Sequence, residues 1–463
     1  MLQATSAARH NRLRQLRSHL ISADASAALA YDPPVPKTID DLRTPCLVLQ
    51  LDVAQQNIDR MQARAEGLGC VVRPHVKTHK TLELGALQTQ GTKRRITCST
   101  LAEARFFAAG GFDDILYAVP ITPDKLPEAA ALTVALEAFH ILIDNAIQLD
   151  AILTLPAPGP NTPWSVFIMV DCGYGRDGVD PSDPTSLDIA ERLATASTTT
   201  LSGVYTHGGH SYDSDETGSA VSSTAVVDVG AMERDGEDTS SSHHNWISGE
   251  ISERLLVVAV TVEFARQLRE ERGVECPIVG VGSTPTCSNP PPHLDGVDEM
   301  HPGNYIFNDT SNASKKQSPH RSLVSRYVSD ISLVITAQSM LGSCTSSDVA
   351  VRVLTRVIGH YPRKNMLLID LGWTGCSAQG AEFGYGILEG HPELKVVQLK
   401  QEAGEVEAAE HSTPLDFSLY PIGSILELLP YHSCAAVKMH EKMHVLEEDR
   451  RTIKGAYEIC RGW

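Results

Sequence analysis

Residues 70–80 read CVVRPHVKTHK, an apolar run of β type that passes directly into a cluster of basic side chains. It is the first of eight such runs between Cys70 and Phe307, and the other seven are ITCST, ILYAV, FHILID, SVFIMVD, LSGVYTHG, PIVGVGST and MHPGNYIF. Segments with helical periodicity separate them, at 81–87, 101–109, 125–136, 187–196 and 252–272. Apolar strands that alternate with helices over roughly 240 residues predict an α/β fold, a parallel (β/α)8 barrel of the TIM type.

The pattern changes after Asp309. A polar KKQSPHR linker precedes SRYVSDISLVITAQSM, VAVRVLTRVI and NMLLIDLG, which are rich in β-forming residues and have no helical segment between them. We therefore predict a leader at 1–40, the barrel at 41–310 and a mostly β domain at 311–463. The segment TPCLVLQLD, residues 44–52, could begin the barrel or lend a strand to the β domain.

One polar stretch interrupts the barrel pattern. Residues 211–250 are rich in Ser, Thr, Gly, Asp and Glu and hold the adjacent histidines His243 and His244. We interpret this stretch as a surface insertion in which the two histidines are solvated.

Composition restricts the class of partner. The formal net charge is −18 and there is no basic stripe beyond the N-terminus, which argues against binding to nucleic acid or to an anionic membrane. The ten cysteines form no C-x-x-C pair, as expected in a reducing compartment, and no apolar run is long enough to cross a bilayer. We expect a cytoplasmic protein, although Arg9, Arg12, Arg14 and Arg17 keep a mitochondrial presequence as an alternative.

Lys77 is the first candidate catalytic residue. It follows the first strand of the predicted barrel, at the strand end where barrel enzymes keep their active sites. The basic neighbours Arg73, His75, His79 and Lys80 should lower the pKa of its amine, and a neutral amine is the form that attacks an aldehyde. A solvated basic loop is the alternative for this segment alone.

The seventh run continues into VGVGSTPT, which has the composition of a phosphate-binding loop. Gly282 permits close approach of the backbone, and Ser283 and Thr284 offer hydroxyls beside backbone N–H groups. Barrels commonly bind phosphate after strands seven and eight, although an ordinary turn would have the same sequence. Together with Lys77, this loop indicates a cofactor that carries both an aldehyde and a phosphate.

A candidate metal pair lies near the C-terminus. In LLPYHSCAAV, residues 428–437, His432 and Cys434 are two positions apart, so both side chains would project to one face if the stretch were extended. Imidazole and thiolate suit Zn²⁺, and two protein ligands leave positions open for substrate or water. A buried strand with an incidental histidine is the alternative.

The motifs RPHVKTHK, DCGYGRDGV, YTHGGHSY, GSTPT and HPGNYIFND occur in the order of the strand-end motifs of one family, and the chain resembles that family throughout the barrel. It is the D-serine dehydratase and D-threonine aldolase family of fold-type III, alanine-racemase-like enzymes that use pyridoxal 5′-phosphate (PLP). The resemblance implies that Lys77 carries the cofactor and that Gly282, Ser283 and Thr284 hold its phosphate. It also implies that a further set of side chains surrounds the ring or lies near the phosphate: Arg176, Tyr205, Thr206, Tyr212 and Tyr305.

The same resemblance bears on the reaction. D-serine dehydratases resemble this sequence in having a His-x-Cys zinc pair where His432 and Cys434 stand, whereas D-threonine aldolases have His-x-Asp there, so Cys434 favours dehydration of a D-amino acid. Aldol cleavage and a non-catalytic PLP-binding protein remain as alternatives. The resemblance further implies a homodimer.

The chain departs from the family pattern at three places. Tyr431 stands where the family usually has Asn, and Glu402, Ala403 and Gly404 stand in place of Glu-His-Gly. The segment IDLGWTGCSAQG, residues 369–380, keeps the Gly-Trp of a family motif but lacks its later Leu-Ser-x-Asp pattern. These departures bear on the substrate range and activity more than on the fold.

Overall fold

The computed structural model describes residues 35–209, 253–291, 293–310 and 344–463. The leader arginines, Tyr212 and the pair His243 and His244 lie outside the described residues. So do the KKQSPHR linker and the β-type run SRYVSDISLVITAQSM, residues 325–340, and the predictions made for all of them stay predictions.

The chain divides into two compact units at Leu42. In the described part of the first unit, Ile39–Asp41 form a 3-10 turn whose start is fixed by the backbone N–H of Thr38, which donates to Asp41 Oδ2 at 2.9 Å. The second unit, Arg43–Trp463, contains all the elements that follow.

The elements of the second unit alternate between strand and helix in its first half and are mostly strands in its second half. The strands, in chain order, are β1 (Cys46–Gln50), β2 (Val71–Val72), β3 (Ile96–Cys98), β4 (Asp114–Pro120), β5 (Ala138–Ile143), β6 (Trp164–Met169), β7 (Thr199–His207), β8 (Val279–Gly282), β9 (Glu299–His301), β10 (Val351–Tyr361), β11 (Met366–Ile369), β12 (Gly386–Leu388), β13 (Leu394–Leu399), β14 (Gly404–Ala408), β15 (Ile425–Pro430), β16 (Lys442–Leu446) and β17 (Ile453–Glu458). The helices are α1 (Leu51–Gly67), α2 (Leu82–Gln88), α3 (Leu101–Ala109), α4 (Leu126–Ala135), α5 (Ala146–Leu153), α6 (Pro184–Thr195), α7 (Glu253–Arg272), α8 (Thr284–Ser288), α9 (Trp373–Cys376) and α10 (Ser433–Lys438).

The barrel prediction is confirmed. β2 to β9 form one parallel sheet in the order β2-β9-β8-β7-β6-β5-β4-β3, and these are the eight apolar runs of the sequence. A parallel bridge between His75 and Thr97 joins the two end strands. The carboxyl ends of all eight strands therefore meet at one face, where a barrel enzyme has its active site.

The β-rich second half is also confirmed, and it includes an N-terminal strand. β1 pairs antiparallel with β10 and parallel with β16, in the nine-stranded sheet that contains the C-terminal strands. The segment TPCLVLQLD thus lends its strand to the β domain, which answers the question that the sequence left open. The limits of the three predicted regions themselves stay predictions.

The predicted helices all occur within a few residues of their expected positions, and α3 coincides with its prediction. Helices α1 and α5 and the short helices α8, α9 and α10 were not predicted. No helix among the residues described above is long and apolar enough to cross a membrane.

Gly203 provides a test of how tightly the barrel is packed. A Cβ at this position in β7 would lie 2.5 Å from the backbone oxygen of Ile278 and 2.5 Å from Cε1 of Phe167. Because the backbone of Ile278 would have to shift to relieve this overlap, we expect Gly203→Ala to lower the free energy of unfolding by about 1–3 kcal/mol. Gly455→Ala in β17 is the matched control, because a Cβ there meets nothing within 4 Å. Urea unfolding followed by tryptophan fluorescence measures both, and equal stability of the two variants would contradict this packing.

Candidate active site

Lys77 lies at the carboxyl end of the first barrel strand, as predicted. After β2 the chain makes a 3-10 turn, Val76–Thr78, and the backbone N–H of Lys77 donates to Nδ1 of His75 at 3.4 Å. Burial lowers the pKa of the Lys77 amine, and the positive charges of Arg176 and Lys80 lower it further, against the opposing effect of Cys434 and Glu103. The amine is therefore held in an environment that favours its neutral, nucleophilic form.

The predicted direction of the Lys77 pKa shift agrees with the structure, but the cause differs in part from the prediction. Burial is the first cause, and among the flanking basic residues only Lys80 is among the main ones. Lys80 is itself in a buried ion pair with Glu103, and the ring of His79 is hydrogen-bonded to Gln88 at 2.9 Å. Lys80 and His79 therefore stabilise the turn by their own contacts, and the flanking basic residues contribute less than burial to the lowered pKa of Lys77.

Arg73, the residue after β2, lies inside the barrel. Its guanidinium is 1% exposed and makes ion pairs of 2.7 Å with Asp114 and with Glu299. Burial alone would raise the pKa of Asp114, but the hydrogen bond from His140 and the charge of Arg73 lower it to about 2. This ion-pair cluster links β2, β4, β5 and β9 beneath the Lys77 turn.

The predicted phosphate loop follows β8 directly. A Cβ on Gly282 would lie 2.4 Å from the hydroxyl of Tyr205, so only glycine allows this approach. Ser283 has φ of 142° and accepts a hydrogen bond from the backbone N–H of Thr286 at 3.3 Å, and the hydroxyl of Thr284 accepts one from the backbone N–H of Asn304 at 2.9 Å. The loop is a tight turn with buried hydroxyls, consistent with a phosphate cradle.

The four described residues that the resemblance places near the cofactor differ in their surroundings. The ring of Tyr205 stacks on that of His301, with centroids 4.7 Å apart, and the charge of Arg176 acts on Tyr205 as it does on Lys77. The Thr206 hydroxyl instead donates to the backbone oxygen of Val170 at 2.8 Å.

The Tyr305 hydroxyl accepts a hydrogen bond from Gln88 at 3.0 Å. Arg176 is ion-paired with Asp177 at 3.1 Å and is 47% exposed, and its charge acts on both Lys77 and Tyr205. The hydroxyls of Thr206 and Tyr305 are hydrogen-bonded within the protein. Their roles toward a cofactor stay predictions.

His432 and Cys434 come together, but not in an extended strand. His432 is the residue before α10, and Cys434 lies in the first turn of that helix, so the extended geometry considered from the sequence does not apply to Cys434. The two side chains are nevertheless hydrogen-bonded to each other. Cys434 Sγ also lies 3.3 Å from the hydroxyl of Thr78, the neighbour of Lys77.

The charges of this pair are coupled. Burial lowers the pKa of His432, but the hydrogen bond and charge of Cys434 outweigh it and raise that pKa to about 9. Burial raises the pKa of Cys434, and His432 outweighs it in turn, so the pKa of the thiol is lowered. An imidazole beside a thiolate is a donor set that suits Zn²⁺. The described ranges contain no cluster of three or more His, Cys, Asp or Glu side chains that could hold a metal.

Several residues that support the pair were not singled out from the sequence. The backbone N–H of Ser433 donates to Asp309 Oδ2 at 3.1 Å, and Asn304 Nδ2 donates to the same oxygen at 2.5 Å. Gln379 lies 2.7 Å from Nδ1 of His432. Asn304 and Asp309 are in the HPGNYIFND motif, which was the available signal, whereas Gln379 lies 53 residues from His432 in the chain.

Two family profiles match the chain: an alanine racemase N-terminal domain over residues 49–234 and a putative serine dehydratase domain over residues 350–446. A D-serine dehydratase of Dictyostelium discoideum is 31% identical over 438 residues, which are 90% of this chain and 96% of the relative. A D-threo-3-hydroxyaspartate dehydratase of Delftia sp. strain HT23 is 32% identical, over 92% of this chain and 99% of the relative.

Solved structures show the same similarity. The D-threo-3-hydroxyaspartate dehydratase from Delftia sp. HT23 superposes with a TM-score of 0.71 and 30% identity, over 92% of this chain and all of that one. A cysteine-to-alanine variant of that enzyme, described as metal-free, gives a TM-score of 0.73. An alanine racemase of Clostridium difficile 630, 12% identical with a TM-score of 0.56, shares the fold over 91% of this chain.

The Arg73 cluster predicts a pH dependence of stability. Because the pKa of folded Asp114 is lowered from 3.8 to about 2, its stabilising contribution is present above the unfolded pKa and is lost as the pH falls through the folded one. We expect the difference in unfolding free energy between the wild type and Asp114→Asn to shrink by about 2 kcal/mol as the pH falls from 6 towards 2, about half of it by pH 3.

Urea unfolding at several pH values measures this difference. Asp150→Asn is the control, because Asp150 is 61% exposed in its ion pair with Arg192, and such pairs contribute about 0–1 kcal/mol. A difference for Asp114→Asn that is independent of pH would show that the cluster is not an ion pair.

Proposed function

Because this chain belongs to the D-serine dehydratase and D-threonine aldolase family, we propose that it is a lyase that uses PLP and zinc to convert D-serine to pyruvate and ammonia. The observation that carries the proposal is the position of the metal pair. Cys434, paired with His432, contacts Thr78 in the Lys77 turn at 3.3 Å. A metal and a lysine-bound cofactor would therefore share one substrate.

The residues present fit PLP. The buried amine of Lys77 has the lowered pKa needed to attach to an aldehyde, and the glycine at 282 leaves the space that a Cβ would fill. Gly282, Ser283 and Thr284 would hold the phosphate, with Arg176 and Tyr205 beside the ring. When bound, PLP supplies an electron-withdrawing ring that stabilises negative charge at the α-carbon of an attached amino acid.

The donor set also fits zinc. His432 and Cys434 would be the protein ligands, and Zn²⁺ bound there would supply the positive charge that makes a β-hydroxyl a better leaving group. In the same site the Nζ of Lys77, once released from the cofactor, is the base that takes the α-proton of the substrate. Burial, with a further contribution from the charge of Arg176, lowers the pKa of that amine and so favours the neutral form that accepts a proton.

A second substrate of the same reaction is D-threo-3-hydroxyaspartate, which appears in the name of the Delftia relative. This substrate has a carboxylate on its β-carbon, and the half-exposed Arg176, whose positive charge acts on Lys77, would favour it. Its dehydration would yield oxaloacetate instead of pyruvate.

We further propose a cytoplasmic homodimer, in which 1–40 is a leader, 41–310 the barrel and 311–463 the β domain. The family supports a small D-amino acid as the substrate, and the net charge of −18 argues against nucleic acid and anionic membranes as partners.

Product analysis tests the proposed reaction. The purified protein, supplied with PLP and zinc, is incubated with D-serine, D-threonine or D-threo-3-hydroxyaspartate, and ammonia and oxo acids are measured. We expect pyruvate and ammonia from D-serine. Lys77→Ala should lose this activity together with the absorbance of the lysine-bound cofactor, and Cys434→Ala or a chelator should lower it by at least about tenfold without removing that absorbance.

The control is Cys276→Ala. Cys276 is a half-buried thiol that donates a hydrogen bond to the backbone oxygen of Ile278, and it precedes β8 rather than lying at the strand end that leads into the site. It should retain activity and chelator sensitivity. Glycine and an aldehyde as products would instead make the protein an aldolase. Cofactor absorbance that depends on Lys77, without any product, would make it a cofactor-binding protein.

A further inference from the structure

We propose that Gln379 is the positioning residue that orients His432 for metal binding, an inference that rests on the metal site proposed above. The carbonyl oxygen Oε1 of Gln379 lies 2.7 Å from Nδ1 of His432. An amide oxygen only accepts hydrogen bonds, so Nδ1 of the ring carries the proton. The other nitrogen, Nε2, is then the one that gives its lone pair to a metal.

The position of Gln379 is fixed by its own loop. The residue after it, Gly380, has φ of +74°, and a Cβ there would lie 2.2 Å from the ring of Tyr431. That ring stacks on Phe383 with centroids 5.8 Å apart and planes 9° from parallel. The loop is thus pressed against the residue that precedes His432.

Backbone hydrogen bonds hold the same loop from two sides. The N–H of Gln379 donates to Ser377 Oγ at 3.1 Å, and the N–H of Tyr385 donates to the backbone oxygen of Gly380 at 2.8 Å. The N–H of Tyr431 donates to the backbone oxygen of Tyr385 at 2.9 Å. The backbone segments that carry Gln379 and His432 are therefore hydrogen-bonded to each other through Tyr385 and Tyr431. This fixes the positions from which the two side chains make contact.

The chemistry of this partner has a consequence for the metal. A hydrogen-bond partner on the second ring nitrogen orients the histidine toward the metal. Loss of such a partner typically lowers metal affinity by about 10–100-fold. Gln379 is a neutral partner, so it orients the ring without adding negative charge. In this account Cys434 provides the single negative charge of the pair.

The test measures zinc affinity directly. The Zn²⁺ dissociation constant of the PLP-loaded protein is determined by competition with a coloured chelator for the wild type, His432→Ala, Gln379→Leu and Gln379→Glu. We expect Gln379→Leu to bind Zn²⁺ about 10–100-fold more weakly. Gln379→Glu keeps an acceptor oxygen. Its Zn²⁺ dissociation constant should therefore be no more than about threefold higher than that of the wild type. At saturating zinc, the activity of Gln379→Leu should return toward that of the wild type.

Gln398→Leu on β13 is the matched control, because this glutamine is also exposed but belongs to a strand outside the loop that carries Gln379. It should leave zinc affinity unchanged, and thermal unfolding of each apo variant verifies that it folds. If Gln379→Leu binds zinc as the wild type does, or if Gln379→Glu is as weak as Gln379→Leu, the positioning role is overturned while the metal site stands. If His432→Ala binds zinc as tightly as the wild type, the metal site itself fails and the inference fails with it.

Discussion

The guanidinium of Arg73, buried between the carboxylates of Asp114 and Glu299, is the interaction on which the site depends. β2 is only two residues long, and backbone hydrogen bonds from the N–H groups of Arg73 and His75 continue its pairing into the turn. The ion pairs anchor the chain immediately after that strand to β4 and β9 across the barrel interior. Removing one partner of such a pair leaves an uncompensated buried charge, at a typical cost of about 3–5 kcal/mol. The turn that carries Lys77 begins from this anchored residue.

That anchor allows two distant parts of the chain to meet at one point. The Lys77 turn comes from the barrel, and the proposed metal ligands His432 and Cys434 come from the start of helix α10, which follows β15 in the β domain. The two parts make contact between Thr78 and Cys434. Beside this contact, Asp309 accepts hydrogen bonds from Asn304 and from the backbone N–H of Ser433. The barrel therefore supplies a lysine with a lowered pKa, and the β domain supplies a thiolate and an imidazole. Dehydration of a β-hydroxy amino acid needs both, because one group must accept the α-proton and another must assist the departing hydroxyl.

The sequence predicted the barrel, the β-rich half and the position of Lys77, because strand periodicity and strand-end motifs are local signals. It did not predict which sheet β1 joins, since that pairing is with β10 and β16, hundreds of residues away. The sequence was considered only for an extended start at His432 and Cys434, although Ala435 and Ala436 favour the helix that is found there. Thr206 was grouped with Tyr205, yet adjacent strand residues face opposite sides, and its hydroxyl bonds to the backbone. Gln379 lies in the segment 369–380 that was noted as a departure from the family pattern, but its contact with His432 joins residues 53 positions apart and could not be predicted from local sequence.

The central claim is that a zinc ion and a lysine-bound cofactor occupy one site. Anomalous diffraction at the zinc edge, from crystals of the protein grown with PLP and zinc, tests it most directly. The account predicts one anomalous peak within about 2.0–2.3 Å of a ring nitrogen of His432 and of Cys434 Sγ, and continuous electron density from Nζ of Lys77 to the cofactor, whose phosphate lies at Gly282, Ser283 and Thr284. A peak elsewhere, or a cofactor that is not joined to Lys77, would contradict the account.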